Sequence, residues 1–195
     1  SASRRLEAAA EAVVRATGAG HRLTVLASAA ALWVWLPVST PPDLGGLAAD
    51  LEEHPDVRVA VGRPGADVEG FRRSHLDAAT TQRMLARLTS PQQVARYDDV
   101  QLAALLTSRP AQADEFLADT LGDLLTADPD TRRTVLTYVR ELGSTTRTAE
   151  RLYTHRNTVL RRLARADELL PRPLAENAVG VAAALEVLRW RGAAP

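Results

Sequence analysis

The 195-residue sequence contains no cysteine, no lysine and no isoleucine. Without cysteine the chain can form neither a disulfide framework nor a thiolate metal site. This also agrees with a cytoplasmic location, which we expect. No stretch approaches the roughly 18 consecutive apolar residues of a membrane helix, so we expect no membrane partner. The apolar content is nevertheless 46% against 25% charged residues, which is too apolar for a disordered chain and predicts a folded protein.

Charge is unevenly distributed along the chain, although the formal net charge is zero. Residues 1–130 carry 12 Arg against 18 acidic residues, whereas residues 131–195 carry 12 Arg against 6. A basic C-terminal third on an acidic body is typical of a DNA-binding module attached to a regulatory domain. Arginines that only decorate solvated helix faces would give the same imbalance, so charge alone does not choose between the two.

The first half of the sequence alternates helix and strand patterns. Apolar periodicity and turn residues predict helices at 3–17, 43–53 and 68–88 and strands at 23–28, 32–36, 57–61 and 94–97. The two strands at 23–36 form a predicted hairpin. The order predicts a mixed sheet with helices packed on it, hence an α+β fold.

The second half shows helical patterns only. Helices are predicted at 102–107, 111–125, 132–142 and 176–190, with two short helices between the last two. The polar, proline-containing stretch 127–130 lies where the charge changes and is the predicted boundary. We therefore expect a regulatory or dimerisation domain at 1–97, a helical connector at 98–130 and a DNA-binding domain at 131–195.

The two short helices have the organisation of a helix-turn-helix, broken at Tyr153-Thr154. Ser144 or Thr145 can cap the first helix, and Thr154 can cap the second, which is predicted over about 154–169. Ala149 is small where two helices approach closely. The shared core is expected from Leu152, Val159 and Leu163.

The second helix opens on residues suited to reading DNA. Arg pairs with guanine and Asn with adenine through two hydrogen bonds each, so Arg156 and Asn157 are candidate base readers, with His155 beside them. Further along, Thr158, Arg161, Arg162 and Arg165 are expected to touch phosphates, which give affinity and register. An ordinary helical hairpin with a solvated Arg-rich face is the alternative interpretation.

The run Leu152-Tyr153-Thr154-His155-Arg156-Asn157-Thr158-Val159, followed by Arg162-Leu163, resembles the C-terminal helix-turn-helix of the PucR/CdaR family of bacterial transcription regulators. The resemblance covers about residues 131–190. It implies that His155, Arg156, Asn157, Thr158 and Arg161 face double-stranded DNA. A homodimer is expected on geometric grounds, because two recognition helices about 34 Å apart read successive major grooves.

The upstream residues resemble a GGDEF-like domain over about residues 1–97. The resemblance rests on the run 57–64, which contains Gly62-Arg63-Pro64, and on the run 70–79, where His75 replaces the usual Tyr. That family domain usually has a strand before its first helix. We therefore expect a fragment of a longer regulator, whose upstream sequence senses a small-molecule effector. The predicted fold is a degenerate GGDEF-like mixed α/β domain followed by an all-α helix-turn-helix domain.

Catalysis is not expected. A GGDEF cyclase needs acidic residues for two divalent metals and a Gly-Gly hairpin, and residues 27–32 contain neither. No metal ligands or cofactor are expected, and Trp33 and Trp35 are expected to fill a core or interface. Two alternatives stay open: a ligand-sensing or dimerisation module with a vestigial helix-turn-helix, and a nucleotide-processing enzyme.

Overall fold

The computed structural model describes residues 2–40 and 46–192. These residues divide into two compact units. The first unit contains the residues up to Gln101 together with Gly192, and the second contains Leu102 to Arg191. Residues 102–130, which the sequence predicts to be a connector, group with the helix-turn-helix in this division. The functional division into three segments stays a prediction.

The first unit contains helices and four short strands. The helices are α1 (Ala2–Thr17), α2 (Leu47–Asp50), α3 (Val68–Arg87) and the start of α4 (Tyr97–Leu106), and the strands are β1 (Leu23–Ser28), β2 (Ala31–Trp35), β3 (Val59–Val61) and β4 (Val94–Arg96). The predicted helices at 3–17 and 68–88 and all four strands are confirmed. The helix predicted over 43–53 is reduced to α2, and its first residues belong to the stretch 41–45 outside the described residues.

The strands form two separate pairs within the part of the chain that the structure describes, instead of the single mixed sheet that the sequence predicts. β1 and β2 are antiparallel, with Val25 opposite Trp33, and β3 and β4 are parallel, with Val59 opposite Val94. β2 and β3 both line a cavity of about 310 Å³ and are not hydrogen-bonded to each other. The fold class is nevertheless α+β.

One partly buried ion pair holds the turn after β3 against α3. The Arg63 Nε–H donates to Asp77 Oδ2 at 2.7 Å and a terminal N–H donates to Asp77 Oδ1 at 3.2 Å. Asp77 is buried, and its hydrogen bond raises the pKa of Arg63. The guanidinium also lies 4.6 Å from the ring centroid of Tyr97. A side chain at Gly62 would meet the Ser74 carbonyl oxygen at 2.0 Å, so only glycine allows this close approach.

The second unit is helical in all its described regular elements. It contains the second half of α4, then α5 (Pro110–Leu121), a 3₁₀ helix (Gly122–Thr126), α6 (Pro129–Arg140), α7 (Thr145–Arg151), α8 (Arg156–Leu169) and α9 (Leu174–Trp190). α6 contacts α7, α8 and α9 and is the centre of the bundle. The helix predicted over 111–125 changes to 3₁₀ geometry at Gly122, whose φ is +51°. α9 contains a kink at Asn177.

The amphipathic pattern of α6 explains its central position. Val135 is fully buried and Leu136 is 8% exposed. Thr134 is also fully buried, and its hydroxyl is satisfied by donating to the Asp130 carbonyl at 2.7 Å. The helix begins after Asp128, whose Oδ1 accepts the Thr131 backbone N–H at 2.8 Å. This N-cap fixes where the central helix starts.

Two exposed apolar residues flank α7 in left-handed backbone conformations. Leu142 has a φ of +53° and is 86% exposed, and Tyr153 has a φ of +50° and is 98% exposed. Left-handed geometry places Cβ close to the carbonyl oxygen and costs a non-glycine residue about 1–2 kcal/mol. Each residue ends a helix, so the strain accompanies a sharp change in chain direction.

We predict that removing the Asp128 cap destabilises the second unit. Asp128→Ala should lower the free energy of unfolding by about 1 kcal/mol at pH 7, because a free N–H of α6 loses its acceptor. Asp128→Asn, which keeps an acceptor oxygen, should lose much less. Urea unfolding followed by circular dichroism measures both.

The Asp128 effect should also depend on pH. Hydrogen bonds from the Thr131 side chain and backbone lower the pKa of Asp128. The stabilisation is therefore fully present above the unfolded pKa of about 3.9 and is lost as the pH falls through the lower folded pKa. The gap between wild type and Asp128→Ala should shrink below about pH 4. A gap that stays constant from pH 7 to pH 3 would contradict this assignment.

We predict opposite stability changes for two substitutions of Tyr153. Tyr153→Gly should raise the free energy of unfolding by up to about 1 kcal/mol, because glycine adopts positive φ without steric cost. Tyr153→Val should lower it by about 1 kcal/mol, because a β-branched residue tolerates this conformation poorly. Both variants remove the same exposed ring, so their difference in thermal unfolding isolates the backbone. Equal stability of the two variants would show that the turn is unstrained.

Candidate nucleic-acid interface

The first helix of the pair, α7, is short and is held by its ends and one buried face. The Ser144 side chain accepts the Arg147 backbone N–H at 3.3 Å, which confirms Ser144 as the cap. Ala149 is 7% exposed, as its predicted role at a close helix approach requires. Thr148 is fully buried, and its hydroxyl donates to the Ser144 carbonyl at 2.7 Å. Thr148 is not among the residues predicted for the shared core, although it lies beside Ala149 on the predicted inner face.

The turn between the helices ends later than the sequence predicts. Thr154 was expected to cap the second helix, but its backbone N–H donates to the Ala149 carbonyl at 2.9 Å and so completes the end of α7. The residue at the N-cap of α8 is His155, and its side chain makes no capping hydrogen bond. The predicted start at 154 is therefore wrong by two residues, and α8 begins at Arg156.

The inner face of α8 is a narrow apolar stripe. Val159 and Ala166 are fully buried and lie seven residues apart, which is two helical turns. Leu163 lies between them and is half-buried. Leu152, at the end of α7, is half-buried as well. The predicted shared core is confirmed, and α8 contacts both α6 and α7.

Most of the predicted DNA-facing side chains lie away from this stripe. His155, Arg156, Asn157, Arg161 and Arg165 are exposed, and Thr158 is half-buried. Arg156 donates from Nε to the Thr145 hydroxyl at 3.1 Å. Arg165 pairs with Glu168 on the surface at 2.8 Å. The exposed residues thus form two sets: the candidate base readers lie at the start of α8, and two arginines lie further along it.

Arg162 differs from the other candidates. Its side chain is 20% exposed, and its guanidinium donates to Asp130 Oδ2 at 2.5 Å and, more weakly, to the Thr134 hydroxyl at 3.4 Å. The sequence contains the signal for this position, because residue 162 is three after Val159 and four before Ala166. It therefore falls beside the buried stripe and faces α6.

The first unit presents aromatic packing where a GGDEF hairpin would carry its acidic residues. Ala29 and Ala30 lie between β1 and β2, and no group of three or more potential metal ligands occurs among the described residues. The Trp33 ring lies 4.6 Å from the His75 ring, and Trp35 stacks on Phe71 at 5.3 Å between centroids. The tryptophans thus contact α3, but Trp33 is 40% exposed and Trp35 is half-buried, so neither fills the buried core. No described helix is long and apolar enough to span a membrane.

Comparisons with known proteins agree with this architecture. A model of the PucR C-terminal helix-turn-helix domain matches residues 131–187, and a model of the GGDEF-like domain matches residues 1–84. Among solved structures, a regulator of polyketide synthase expression from Bifidobacterium adolescentis is similar over 97% of this chain and 80% of its own, with 22% sequence identity and a TM-score of 0.36. A search of curated proteins finds no match.

The two domain matches occur in the order that the sequence resemblance implies, and together they cover more than half of the chain. The helix-turn-helix match contains α6, α7 and α8 and most of α9, and the GGDEF-like match contains both strands of the hairpin and most of α3. The chain belongs to the PucR/CdaR family of transcription regulators.

Proposed function

We propose that the chain binds double-stranded DNA sequence-specifically, with the first turn of α8 in the major groove, and that it acts without catalysis. One observation carries the proposal. Arg156 and Asn157 are exposed side by side at the start of a helix whose opposite face is buried against α6 and α7. A helix supported in this way can insert its polar end into the major groove while its partner helices stay outside the groove.

The exposed residues divide by their chemistry. Arg156 can donate two hydrogen bonds to guanine, and Asn157 can pair with adenine. His155 and Thr158 flank them in sequence and would add contacts to the DNA. Arg161 and Arg165 are four residues apart on one side of α8, where their charges would meet the phosphate backbone. In this proposal the first turn supplies specificity, and the later arginines supply affinity and register.

Arg162 has a different role in this proposal from the phosphate contact expected from the sequence. Its guanidinium is engaged with Asp130, so contact with a phosphate would require this pair to break. Asp130 belongs to the first turn of α6. We therefore assign Arg162 to holding α8 on α6, which sets the angle at which the first turn is presented.

We propose that the regulator works as a homodimer, since one helix-turn-helix reads only a half-site. The GGDEF-like unit would form the regulatory and dimerisation body and would transmit the state of a small-molecule effector sensed upstream. Support for a noncatalytic role comes from the hairpin sequence at 27–32, which contains no carboxylate for a metal. The protein would act in the cytoplasm, where its DNA target lies.

We predict that Arg156→Ala/Asn157→Ala abolishes sequence selection by the chain. Each lost base contact should cost about 1–3 kcal/mol of discrimination, because it removes a bidentate pair. The wild-type chain is first used to select bound duplexes from a randomised library, and fluorescence anisotropy then measures affinity for selected and scrambled duplexes.

Arg165→Ala is the control for this experiment. Its loss should weaken binding to both duplexes alike and reduce the slope of log K against log salt by about 1. Wild-type affinity and selectivity in the double variant would overturn the assigned contacts. Absence of any binding by the wild-type chain at low salt would favour a module whose helix-turn-helix no longer reads DNA.

We predict that replacing two neighbouring arginines, Arg161 and Arg162, affects different properties of the chain. Arg162→Met should lower the free energy of unfolding by about 1 kcal/mol, because it removes the ion pair that joins α8 to α6 and leaves Asp130 paired with Arg133 alone. Arg161→Met should leave stability unchanged, because Arg161 is exposed and has no ion pair among the described residues, but it should weaken DNA binding. Urea unfolding and anisotropy on both variants test this. Unchanged stability in Arg162→Met would contradict this role and would favour the phosphate contact that the sequence predicts for Arg162.

A further inference from the structure

The first residues of α7 and α8 are joined by a side-chain hydrogen bond. Arg156 opens α8 and donates its Nε–H to the hydroxyl oxygen of Thr145, which opens α7, at 3.1 Å. The two residues are eleven positions apart in sequence, so this bond is part of the tertiary structure of the helix pair. Thr145 is half-buried, whereas Arg156 is exposed. The bond therefore attaches an exposed side chain to a half-buried residue of the neighbouring helix.

The partner of Arg156 is neutral, and this distinguishes it from the other arginines of α8 that have a partner. Arg162 pairs with Asp130 and Arg165 pairs with Glu168. A carboxylate partner reduces the charge available to DNA and must be displaced or shared when a base is bound. A threonine hydroxyl orients the guanidinium and leaves its full positive charge in place. Arg156 is thus held in position without being neutralised.

The geometry of the guanidinium also matters. It carries five N–H donors, of which one is the Nε–H and the other four belong to the two terminal nitrogens. Because Thr145 takes that donor, the two terminal nitrogens keep all four of theirs. A guanine edge presents two acceptors, O6 and N7, that two terminal N–H groups can satisfy together. The bond to Thr145 therefore occupies the one donor that end-on recognition of guanine does not need.

From this juxtaposition we propose that Thr145 is the positioning residue that orients Arg156 for reading guanine, an inference that rests on the proposed function. Thr145 makes no base contact itself. It reduces the conformational freedom that the Arg156 side chain would lose on binding, so it increases discrimination at a single base position. The buttress helix contributes to sequence specificity in this way as well as to support.

The test compares Thr145→Val with Thr145→Ser in the full chain. Valine has the shape of threonine but no acceptor, whereas serine keeps the hydroxyl. Wild type, both variants and Arg156→Ala each select duplexes from the same randomised library, and their base preferences are compared position by position. Arg156→Ala identifies the base position that depends on Arg156. At that position, the preference for guanine over the other bases should be about 3- to 10-fold weaker in Thr145→Val than in the wild type. Thr145→Ser should keep it. Other positions should be unchanged in both variants.

Each other outcome overturns the inference. A uniform loss of affinity in Thr145→Val, with preferences intact, would mean that the hydroxyl contacts a phosphate. Unchanged selection in Thr145→Val, with an altered preference in Arg156→Ala, would remove Thr145 from the mechanism and leave the proposed function standing. If the wild-type chain selects no sequence, the proposed function fails together with this inference. Circular dichroism confirms folding, and Thr145→Ala replaces the valine variant if that variant unfolds.

Discussion

The orientation of α8, the proposed DNA-recognition helix, depends on two fully buried side chains. Val159 and Ala166 are the fully buried residues of α8, two turns apart on one face. This short stripe packs against α6 and α7, and it determines which residues of α8 are left outside. α6 is in turn started by the Asp128 cap and tied to α8 through Asp130 and Arg162. One cap, one ion pair and two apolar side chains therefore determine how the polar first turn of α8 is presented.

The sequence predicted the helices of this region well, because their apolar residues recur every three or four positions. It placed the start of α8 two residues early, because a cap is decided by where the backbone N–H of Thr154 goes, and that bond to Ala149 depends on tertiary structure. Arg162 was predicted from its charge alone, although its spacing from Val159 assigns it to the side facing α6. The Thr145 contact could not be predicted, since it joins residues of two different helices that lie eleven positions apart in sequence. The single mixed sheet was wrong because strand patterns predict strands and do not predict which edges pair.

The GGDEF-like unit shows how a family motif can serve packing. Gly62 allows the chain to approach the Ser74 carbonyl, and Arg63 can then reach the buried Asp77. Tyr97 covers the guanidinium and brings the start of α4 to the same point. The hairpin lacks acidic residues at its turn, and its tryptophans pack on α3 through His75 and Phe71. The recognisable residues of this unit hold its elements together, and the proposed DNA contacts all lie in the second unit.

The exposed positive charge of α8 consists of guanidinium groups, at Arg156, Arg161 and Arg165. The sequence contains no lysine. Acetylation, which discharges basic surfaces by converting lysine amines to amides, therefore has no side-chain target here. Amine-reactive dyes and cross-linkers likewise leave the face of α8 intact, so a chain labelled through its terminal amine keeps this surface unmodified.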